Sequence, residues 1–148
     1  MTAPHQGFTI RRVTGGNKAL LDNVVPGVFD EEIDIERRAS WAKSSGHLMV
    51  VALRDSAVVG MCTAIVHRHA DKASELYVDE IGVAEDYRRQ DLGRRMLDEM
   101  LRWGAGRGCQ EAWVATEPNN SAARGLYESL APREMDECVF YTFTLAKR

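Results

Sequence analysis

Two spacings of apolar residues recur along the chain, one of two residues and one of three to four, and they predict strands and helices respectively. Gly, Pro, Asn, Asp and Ser stand at most of the points where one spacing gives way to the other, as is typical of turns. The predicted strands span 8–13, 47–54, 57–66, 76–83, 111–116 and 138–145. The predicted helices span 17–25, 31–44, 92–103 and 121–130.

The order of these elements predicts a mixed α/β fold. A polar pair at 55–56 separates two β-rich runs and predicts a hairpin. The helix predicted at 92–103 has the clearest pattern, because Leu92, Met96 and Met100 recur every four residues. The order βααβββαβαβ favours a mostly antiparallel central sheet flanked by helices over a doubly wound parallel sheet, because consecutive strands precede the helix-linked ones.

Composition is that of an ordinary globular protein. The chain has 148 residues, of which 45% are hydrophobic and 28% are charged, and its length corresponds to about one domain. We therefore expect a single domain over residues 1–148. The formal net charge of −3 argues against a general nucleic-acid binder, which needs a broad basic face.

Cysteine usage and the terminal sequence predict a cytoplasmic protein. Cys62, Cys109 and Cys138 lie far apart, their number is odd, and their spacing is not that of paired metal ligands. The N-terminal residues contain no apolar signal core. No run of residues approaches the ~20 apolar positions that a membrane span needs, so we expect no membrane partner.

Residues 83–97, VAEDYRRQDLGRRML, place four arginines where a strand leads into a helix. A helix N-terminus carries unpaired N–H groups and about half a positive charge, so it binds phosphate groups. The side chains of Arg88, Arg89, Arg94 and Arg95 would add charge-assisted hydrogen bonds. This turn predicts a site for a phosphorylated, nucleotide-type cofactor, in preference to an incidental basic surface.

Two acids, Asp79 and Glu80, interrupt the apolar strand that precedes this turn. An unpaired charge is costly to bury, so such acids are usually functional or lie at an open edge. Strict alternation places Glu80 on the face of Leu76 and Val78, with Asp79 on the opposite face. A bulge, which is common beside active sites, would reset that assignment.

Acidic residues also cluster in the segment FDEEIDIE at 29–36 and again at 134–137. The first cluster predicts a surface that attracts a polycationic amine, although any single member also fits a solvated helix face. The candidate substrate-binding residues are Asp30, Glu31, Asp79, Glu117 and Glu137.

Two further groups of reactive residues favour surface or structural roles. His67 and His69 alternate beside Asp71, but no third strong ligand follows at a suitable spacing, so we expect no metal. Cys109 fits a small apolar residue at the start of a strand better than a nucleophile, because no basic partner is evident.

Two motifs in the same order give the chain a family resemblance. The turn at 88–93 aligns with Arg/Gln-x-x-Gly-x-Gly/Ala at all fixed positions except 91, and NSAARGLY at 120–127 matches an Asn-x-x-Ala-x-x-Leu-Tyr helix. Nearly the whole chain resembles the GCN5-related N-acetyltransferase superfamily. The segments VFDEE, LYVDEIGV and AWVATEPNNSAARGLY are similar to those of the aminoglycoside 3-N-acetyltransferase group. The resemblance implies acetyl-coenzyme A as donor and a primary amine as acceptor, foremost an aminoglycoside or a similar polycation.

The resemblance also implies roles for individual residues. Glu80 is the base that takes the ammonium proton, with Asp79 as the second candidate, and Tyr127 is the acid for the leaving thiolate. An ion-paired strand acid and a core tyrosine are the structural alternatives. Asn120 caps its helix and also reaches the cofactor. Strand splaying frees main-chain groups near 81–83, and the implied cofactor-binding residues are Ile81, Gly82, Val83, Arg88, Arg89, Gln90, Asp91, Leu92, Gly93, Arg94, Arg95, Asn120, Ala123 and Tyr127.

Asp91 departs from the motif, since the family has glycine at this position. Aspartate tolerates the left-handed region better than most residues, yet its carboxylate repels phosphate unless it turns to solvent or pairs with an arginine. We expect retained but weakened cofactor binding. The alternatives are an acetyltransferase for a protein, peptide or small metabolite amine, and a weakly catalytic acyl-coenzyme A-binding sensor. The alternating last strand also allows a homodimer in which two sheets meet.

Overall fold

The computed structural model describes residues 7–146. Its five strands are β1 (Phe8–Val13), β2 (His47–Arg54), β3 (Ala57–His67), β4 (Glu75–Val83) and β5 (Glu111–Val114). They form one sheet in chain order; β1 to β4 pair in antiparallel fashion and β5 runs parallel to β4. The helices are α1 (Ile35–Lys43), α2 (Leu92–Gly106) and α3 (Ser121–Glu128), with 3₁₀ turns at Lys18–Asp22 and Glu85–Tyr87. The predicted mixed α/β fold is confirmed.

The chain divides into two compact units, Met1–Ala115 and Thr116–Arg148. The first unit holds the whole sheet together with α1 and α2, and the second holds α3. In the part of the chain that the structure describes, no helix is long and apolar enough to cross a membrane.

Helix α2 covers one face of the sheet, because its apolar residues recur every three or four positions. Leu92, Met96 and Met100 are all 2% exposed or less. Burial of a side chain of this size contributes roughly 1.5–3 kcal/mol. A Cβ at Gly104 would lie 2.7 Å from a Cδ atom of Leu76, so this glycine lets α2 approach β4 closely.

The opposite face of the sheet carries a second core under the segment between β1 and α1. Val25 N donates to Val58 O at 2.9 Å, and this hydrogen bond ties the segment to β3. Leu21 and Val28 anchor the segment at 4% and 3% exposure. The buried members of this core are Val13, Leu21, Val28, Met49, Val51, Leu53, Val58, Met61 and Ala84.

The first two predicted helices have different bounds in the structure. The helix predicted at 17–25 is a 3₁₀ turn that ends at Asp22, because the residues after it bond to β3 instead. The second helix begins at Ile35, because the carboxylate of Asp34 caps it by accepting from Arg37 N at 2.8 Å. Asp30 therefore lies in the loop before α1.

In the second unit, α3 is the one regular element of residues 116–146. The predicted cap is confirmed, since Ala123 N donates to Asn120 Oδ1 at 3.1 Å. No residue of α3 is fully buried, and its apolar residues Ala123, Leu126 and Tyr127 are half-buried. The strand predicted at 138–145 is also wrong: these residues have no regular structure, and Val139, Tyr141 and Phe143 are more than three quarters exposed. Alternation alone does not make a strand, since main-chain groups also need a pairing partner.

Candidate functional site

Strand β4 contains a β-bulge at Asp79. Thr63 of β3 lies opposite Glu80 while the next β3 residue, Ala64, lies opposite Val78, so Asp79 is the extra residue. An inserted residue reverses the alternation of side chains along the strand, and Glu80 no longer shares a face with Val78. The assignment from strict alternation is wrong, and the bulge stated as its alternative is confirmed. Both acids are exposed.

The bulge turns Glu80 toward the face of the sheet that carries the second core. Directly opposed residues of an antiparallel pair share a face, and Met61, two residues from Thr63 on β3, belongs to that core. Although the side chain is exposed overall, partial desolvation of its carboxylate, followed by the carboxylates of Asp79 and Asp30, raises the pKa of Glu80 above its ordinary value. Three carboxylates thus converge, and the raised pKa suits a group that must accept a proton.

Gly82 brings the loop that carries Asp30 close to β4. A Cβ at Gly82 would lie 2.6 Å from the carbonyl oxygen of Val28, which is shorter than real contacts of this kind. Only glycine lets the two main chains approach this closely. Asp30 follows Val28 by two residues and is thereby held near Glu80.

The same loop lines a cavity of about 580 Å³. Its apolar wall includes Val24, Val25 and Phe29. Asp30, Glu31 and Glu32 line it too and are exposed, whereas Arg38 is paired with Asp22. A cavity with an apolar wall and an excess of carboxylates fits an organic cation.

Beyond Val78, the outer edge of β4 is open within the first unit. β5 pairs with β4 only over Glu75–Val78, whereas β4 continues to Val83. The main-chain groups of residues 79–83 on that side therefore have no strand partner in residues 7–115. This stretch contains Ile81, Gly82 and Val83, the residues whose main chain the resemblance assigns to the cofactor.

The arginine-rich turn has the geometry of an anion-binding helix start. Arg89 and Asp91 have positive φ values of 62° and 63°, and α2 begins at Leu92 directly after Asp91. A left-handed residue followed by helical residues turns successive N–H groups toward one point, which is a concavity for anions. Asp91 therefore adopts the conformation for which glycine is usually needed, as expected of aspartate.

The four arginines divide into two pairs. Arg88 and Arg95 are engaged with the main chain: Arg88 Nε donates to Val83 O at 3.1 Å, and Arg95 Nη2 donates to Phe8 O at 3.5 Å. Arg89 and Arg94 are exposed at the helix start. The first pair ties the turn and the start of α2 to main-chain carbonyls of β4 and β1. Gln90 and Gly93, also implied for the cofactor, are half-buried in the same turn.

The remaining predicted site residues belong to the second unit. Asn120 caps α3, and Ala123 and Tyr127 are half-buried on that helix. Glu117 and Glu137 are exposed, the first ahead of α3 and the second in the irregular segment after it.

Two aromatic residues of the first unit, which were not among the predicted site residues, lie close to the acids. Tyr77 of β4 and Trp113 of β5 stack with ring centroids 4.3 Å apart, and Trp113 is 47% exposed. Tyrosine and tryptophan are common in strands, so their residue types alone did not indicate a site. The available signal was an aromatic residue two positions before the acids, on a strand already assigned to the site.

The contacts and burial of His67, His69 and Cys109, which lie outside this site, fit structural roles. The rings of His67 and His69 lie 4.2 Å apart, and His69 Nε2 lies 3.6 Å from Glu75 Oε1. Among residues 7–146, no group of three His, Cys, Asp or Glu side chains is placed to hold a metal ion. Burial raises the pKa of the Cys109 thiol, which disfavours a reactive thiolate there.

Comparison with curated proteins gives two informative relatives. The aminoglycoside N(6')-acetyltransferase type 1 of Salmonella typhimurium is 24% identical over 96 residues, 62% of this chain and 66% of that protein. The [ribosomal protein bS18]-alanine N-acetyltransferase of Escherichia coli K12 is 41% identical over 54 residues, 36% of each chain. The matched regions thus span about two thirds and about one third of these relatives.

Solved structures match over a larger part of the chain. The aminoglycoside acetyltransferase meta-AAC0020, from an uncultured soil metagenomic sample and in complex with sisomicin, has a TM-score of 0.85 at 17% identity and covers 97% of this chain and 100% of its own. AAC(6')-Iy, in complex with the bisubstrate analog CoA-S-monomethyl-acetylneamine, has a TM-score of 0.76 at 17% identity and covers 93% and 99%. These likenesses establish the shared fold.

The family model described as the acetyltransferase (GNAT) family matches residues 19–131. The matched region includes β2 to β5, the arginine-rich turn and α3, and it extends across both units. The resemblance seen in the two sequence motifs is therefore confirmed at the level of the superfamily, and this chain belongs to the acetyltransferase (GNAT) family.

Proposed function

We propose that this protein transfers the acetyl group of acetyl-coenzyme A to a primary amine of an aminoglycoside or a similar polycationic amine. The observation that carries the proposal is the close approach of the loop that carries Asp30 to the bulged stretch of β4 that carries Asp79 and Glu80, beside the end of β4 that leads into the arginine-rich turn. A carboxylate-lined surface next to an anion-binding helix start fits a cationic acceptor and an anionic donor.

The donor would be held by the main chain at the end of β4 and the start of α2. The N–H groups that follow the left-handed Asp91 face the position of a pyrophosphate, with the side chains of Arg89 and Arg94 nearby. The open edge at 81–83 offers main-chain donors and acceptors for the amide groups of a pantetheine arm. We propose the same cofactor contacts as the sequence motifs imply, including Asn120, Ala123 and Tyr127 of the second unit.

The residues of this chain would move two protons. The Glu80 carboxylate accepts one from the acceptor ammonium, which leaves a neutral amine, and Asp79 orients that amine. Bound acetyl-coenzyme A supplies an activated thioester, whose C–S bond breaks as the amine forms the new C–N bond. Main-chain N–H groups at 81–83 stabilise the developing oxyanion. The Tyr127 hydroxyl donates a proton to the thiolate, and the second proton that the nitrogen loses as the amide forms returns to the tyrosinate. The products are an amide, a free thiol and a protonated Glu80 that releases its proton to solvent.

The proposed acceptor follows from charge and from the relatives. Asp30, Glu31 and Asp79 lie at the acidic surface, and Glu117 and Glu137 are proposed as further contacts. The sequence resemblance implied the 3-N position, whereas the Salmonella relative is named for the 6' position. We therefore propose the 6' amine as the first position to examine and the 3-N amine as the second.

A second candidate function is acetylation of a protein N-terminus or another peptide amine. The observation that favours it is the 41% identity, over 54 residues, to the enzyme named for ribosomal protein bS18. An acyl-coenzyme A sensor is a third candidate, because Asp91 introduces a carboxylate at the proposed phosphate site. The single domain over 1–148 and the homodimer stay predictions, the first favoured by a family match that includes residues of both units.

Thiol release from acetyl-coenzyme A tests these candidates directly. The acceptors are sisomicin, spermine and a peptide with a free N-terminus, and mass spectrometry of the sisomicin product locates the acetyl group. We expect Glu80→Gln and Tyr127→Phe each to lower kcat by about 100-fold, the usual contribution of a general base or acid. Asp71→Asn, which removes an exposed acid in the loop between β3 and β4, is the matched control and should leave kcat unchanged.

Each outcome separates the candidates. Turnover of the peptide without turnover of sisomicin favours the second function, and binding of acetyl-coenzyme A without turnover of any amine favours a sensor. Unchanged rates in both variants reject the proposed proton transfers and leave the fold assignment intact.

A further inference from the structure

Tyr77 and Trp113 form an exposed aromatic surface at the β4–β5 end of the sheet. The two residues are opposite each other in the parallel pairing, and their rings stack at an interplanar angle of 28°. Trp113 is nevertheless 47% exposed. Large aromatic side chains are usually well buried, and a contiguous apolar area left in solvent indicates a binding surface.

This surface lies on the same face of the sheet as Glu80. Tyr77 is opposite Ile65 and Glu80 is opposite Thr63, so their partners are two positions apart on β3, or about 7 Å along the strand. Burial, and then the carboxylates of Asp79 and Glu80, raises the pKa of Tyr77, so the acids act directly on the tyrosine. The first unit therefore presents a flat aromatic area immediately beside a group of carboxylates.

We propose that Tyr77 and Trp113 are a stacking subsite for the acceptor, an inference that rests on the proposed function. The ligand class is a saturated six-membered sugar or aminocyclitol ring that carries ammonium groups. One side of such a ring presents C–H bonds, which pack on an aromatic face, and its ammonium groups gain cation–π attraction. An amine attached to that ring extends along β4 to Glu80.

The subsite predicts selectivity among polycations. A linear polyamine meets the carboxylates equally well but has no ring to lay on Trp113. Stacking should therefore favour cyclic polyamines over linear ones of the same charge, because only the cyclic ones use the aromatic area. Charge attracts both classes, and the aromatic pair distinguishes them.

Kinetics of Trp113 variants test the subsite. Trp113→Ala should raise the KM for sisomicin about tenfold, with kcat, the KM for spermine and the KM for acetyl-coenzyme A each within about twofold of the wild type. Trp113→Phe keeps an aromatic face and should recover most of the loss. Trp103→Phe is the matched control, because Trp103 packs under Arg12 of β1 at the other edge of the sheet. Thermal melting of each variant verifies that it is folded.

Tryptophan fluorescence gives a readout that a structural role would not change. Sisomicin should alter the emission of the wild type and of Trp103→Phe, and this response should be absent in Trp113→Phe, which retains Trp41 and Trp103. A KM for sisomicin that is unchanged in Trp113→Ala, or a response that persists in Trp113→Phe, overturns the subsite alone. If the wild type acetylates no amine, the proposed function is contradicted instead. If the fluorescence of the wild type also does not respond to sisomicin, the subsite is overturned as well.

Discussion

Replacement of Gly82 by alanine tests how β4 and the loop that carries Asp30 are held together. An added Cβ would lie 2.6 Å from the carbonyl oxygen of Val28 and 3.4 Å from Cε of Met61. The closer contact is with main chain, so rotation of a side chain cannot relieve it. An ordinary separation of 3.4 Å requires the loop or the strand to retreat by about 0.8 Å.

The expected effect has a thermodynamic and a functional part. Overpacking of this kind destabilises a protein by about 1–3 kcal/mol, and in a domain of this size that lowers Tm by roughly 2–12 °C. The retreat also moves Asp30 away from Glu80, whose pKa it raises. The acidic limb of the pH profile of kcat/KM should therefore shift to lower pH. Circular dichroism melting and initial rates across the pH range measure the two parts.

Gly106→Ala is the matched control for Gly82→Ala. An added Cβ at Gly106 meets nothing within 4 Å, so the substitution introduces no contact. It should leave Tm unchanged or raise stability by about 0.5–1 kcal/mol, because alanine is favoured over glycine in a helix. If Gly82→Ala melts at the wild-type temperature and keeps the wild-type pH profile, the close approach does not hold the loop and the reasoning is refuted.

Three further predictions concern the turn, the acidic group and the core. Asp91→Gly should bind acetyl-coenzyme A about 3- to 10-fold more tightly in a calorimetric titration, because it removes a carboxylate and places glycine where the backbone is left-handed. Tighter binding by the wild type contradicts this. Because folding raises the pKa of Glu80, the stability this group contributes is present below its ordinary value of 4.5 and is lost as pH rises through the folded value. Glu80→Gln should therefore match the wild type in urea unfolding at about pH 4 and exceed it at about pH 8, and the opposite order would show a lowered pKa. Met100→Ala should lower the free energy of unfolding by about 2–5 kcal/mol, since Met100 is 0% exposed, and a loss below 1 kcal/mol would contradict tight packing of α2.

The elements that the sequence predicted best are those whose burial is local and periodic. Helix α2 was predicted from the four-residue recurrence of Leu92, Met96 and Met100, and the same residues are its buried face. The β2–β3 hairpin was predicted from the polar pair at 55–56, and Asp55 has the positive φ of 56° that a tight turn uses. The segment 138–145 has an equally regular alternation and forms no strand, because pairing depends on residues elsewhere.

For the candidate site, the sequence gives residue types, whereas the positions of the side chains follow only from the structure. Asp79 and Glu80 were identified because they are acids inside an apolar strand. The face of the sheet on which each side chain lies depends on one extra residue in β4, which the periodicity of the sequence does not reveal. The cap at Asp34 and the place of Asp30 in the loop depended on which carboxylate reached the first turn of α1. Tyr77 and Trp113 are 36 positions apart, and only the β4–β5 pairing brings their rings together.

The sequence by itself determined the order of most elements, the arginine-rich helix start and the two motifs of the acetyltransferase family, because each depends on residues close together in the chain. The tertiary structure alone decided that Glu80 faces the loop that carries Asp30, that Gly82 is the point of closest approach, and that an aromatic pair lies beside the acids. These features depend on strand register and on contacts between distant segments. Neither is encoded in local periodicity, and both are selected by packing of the whole sheet.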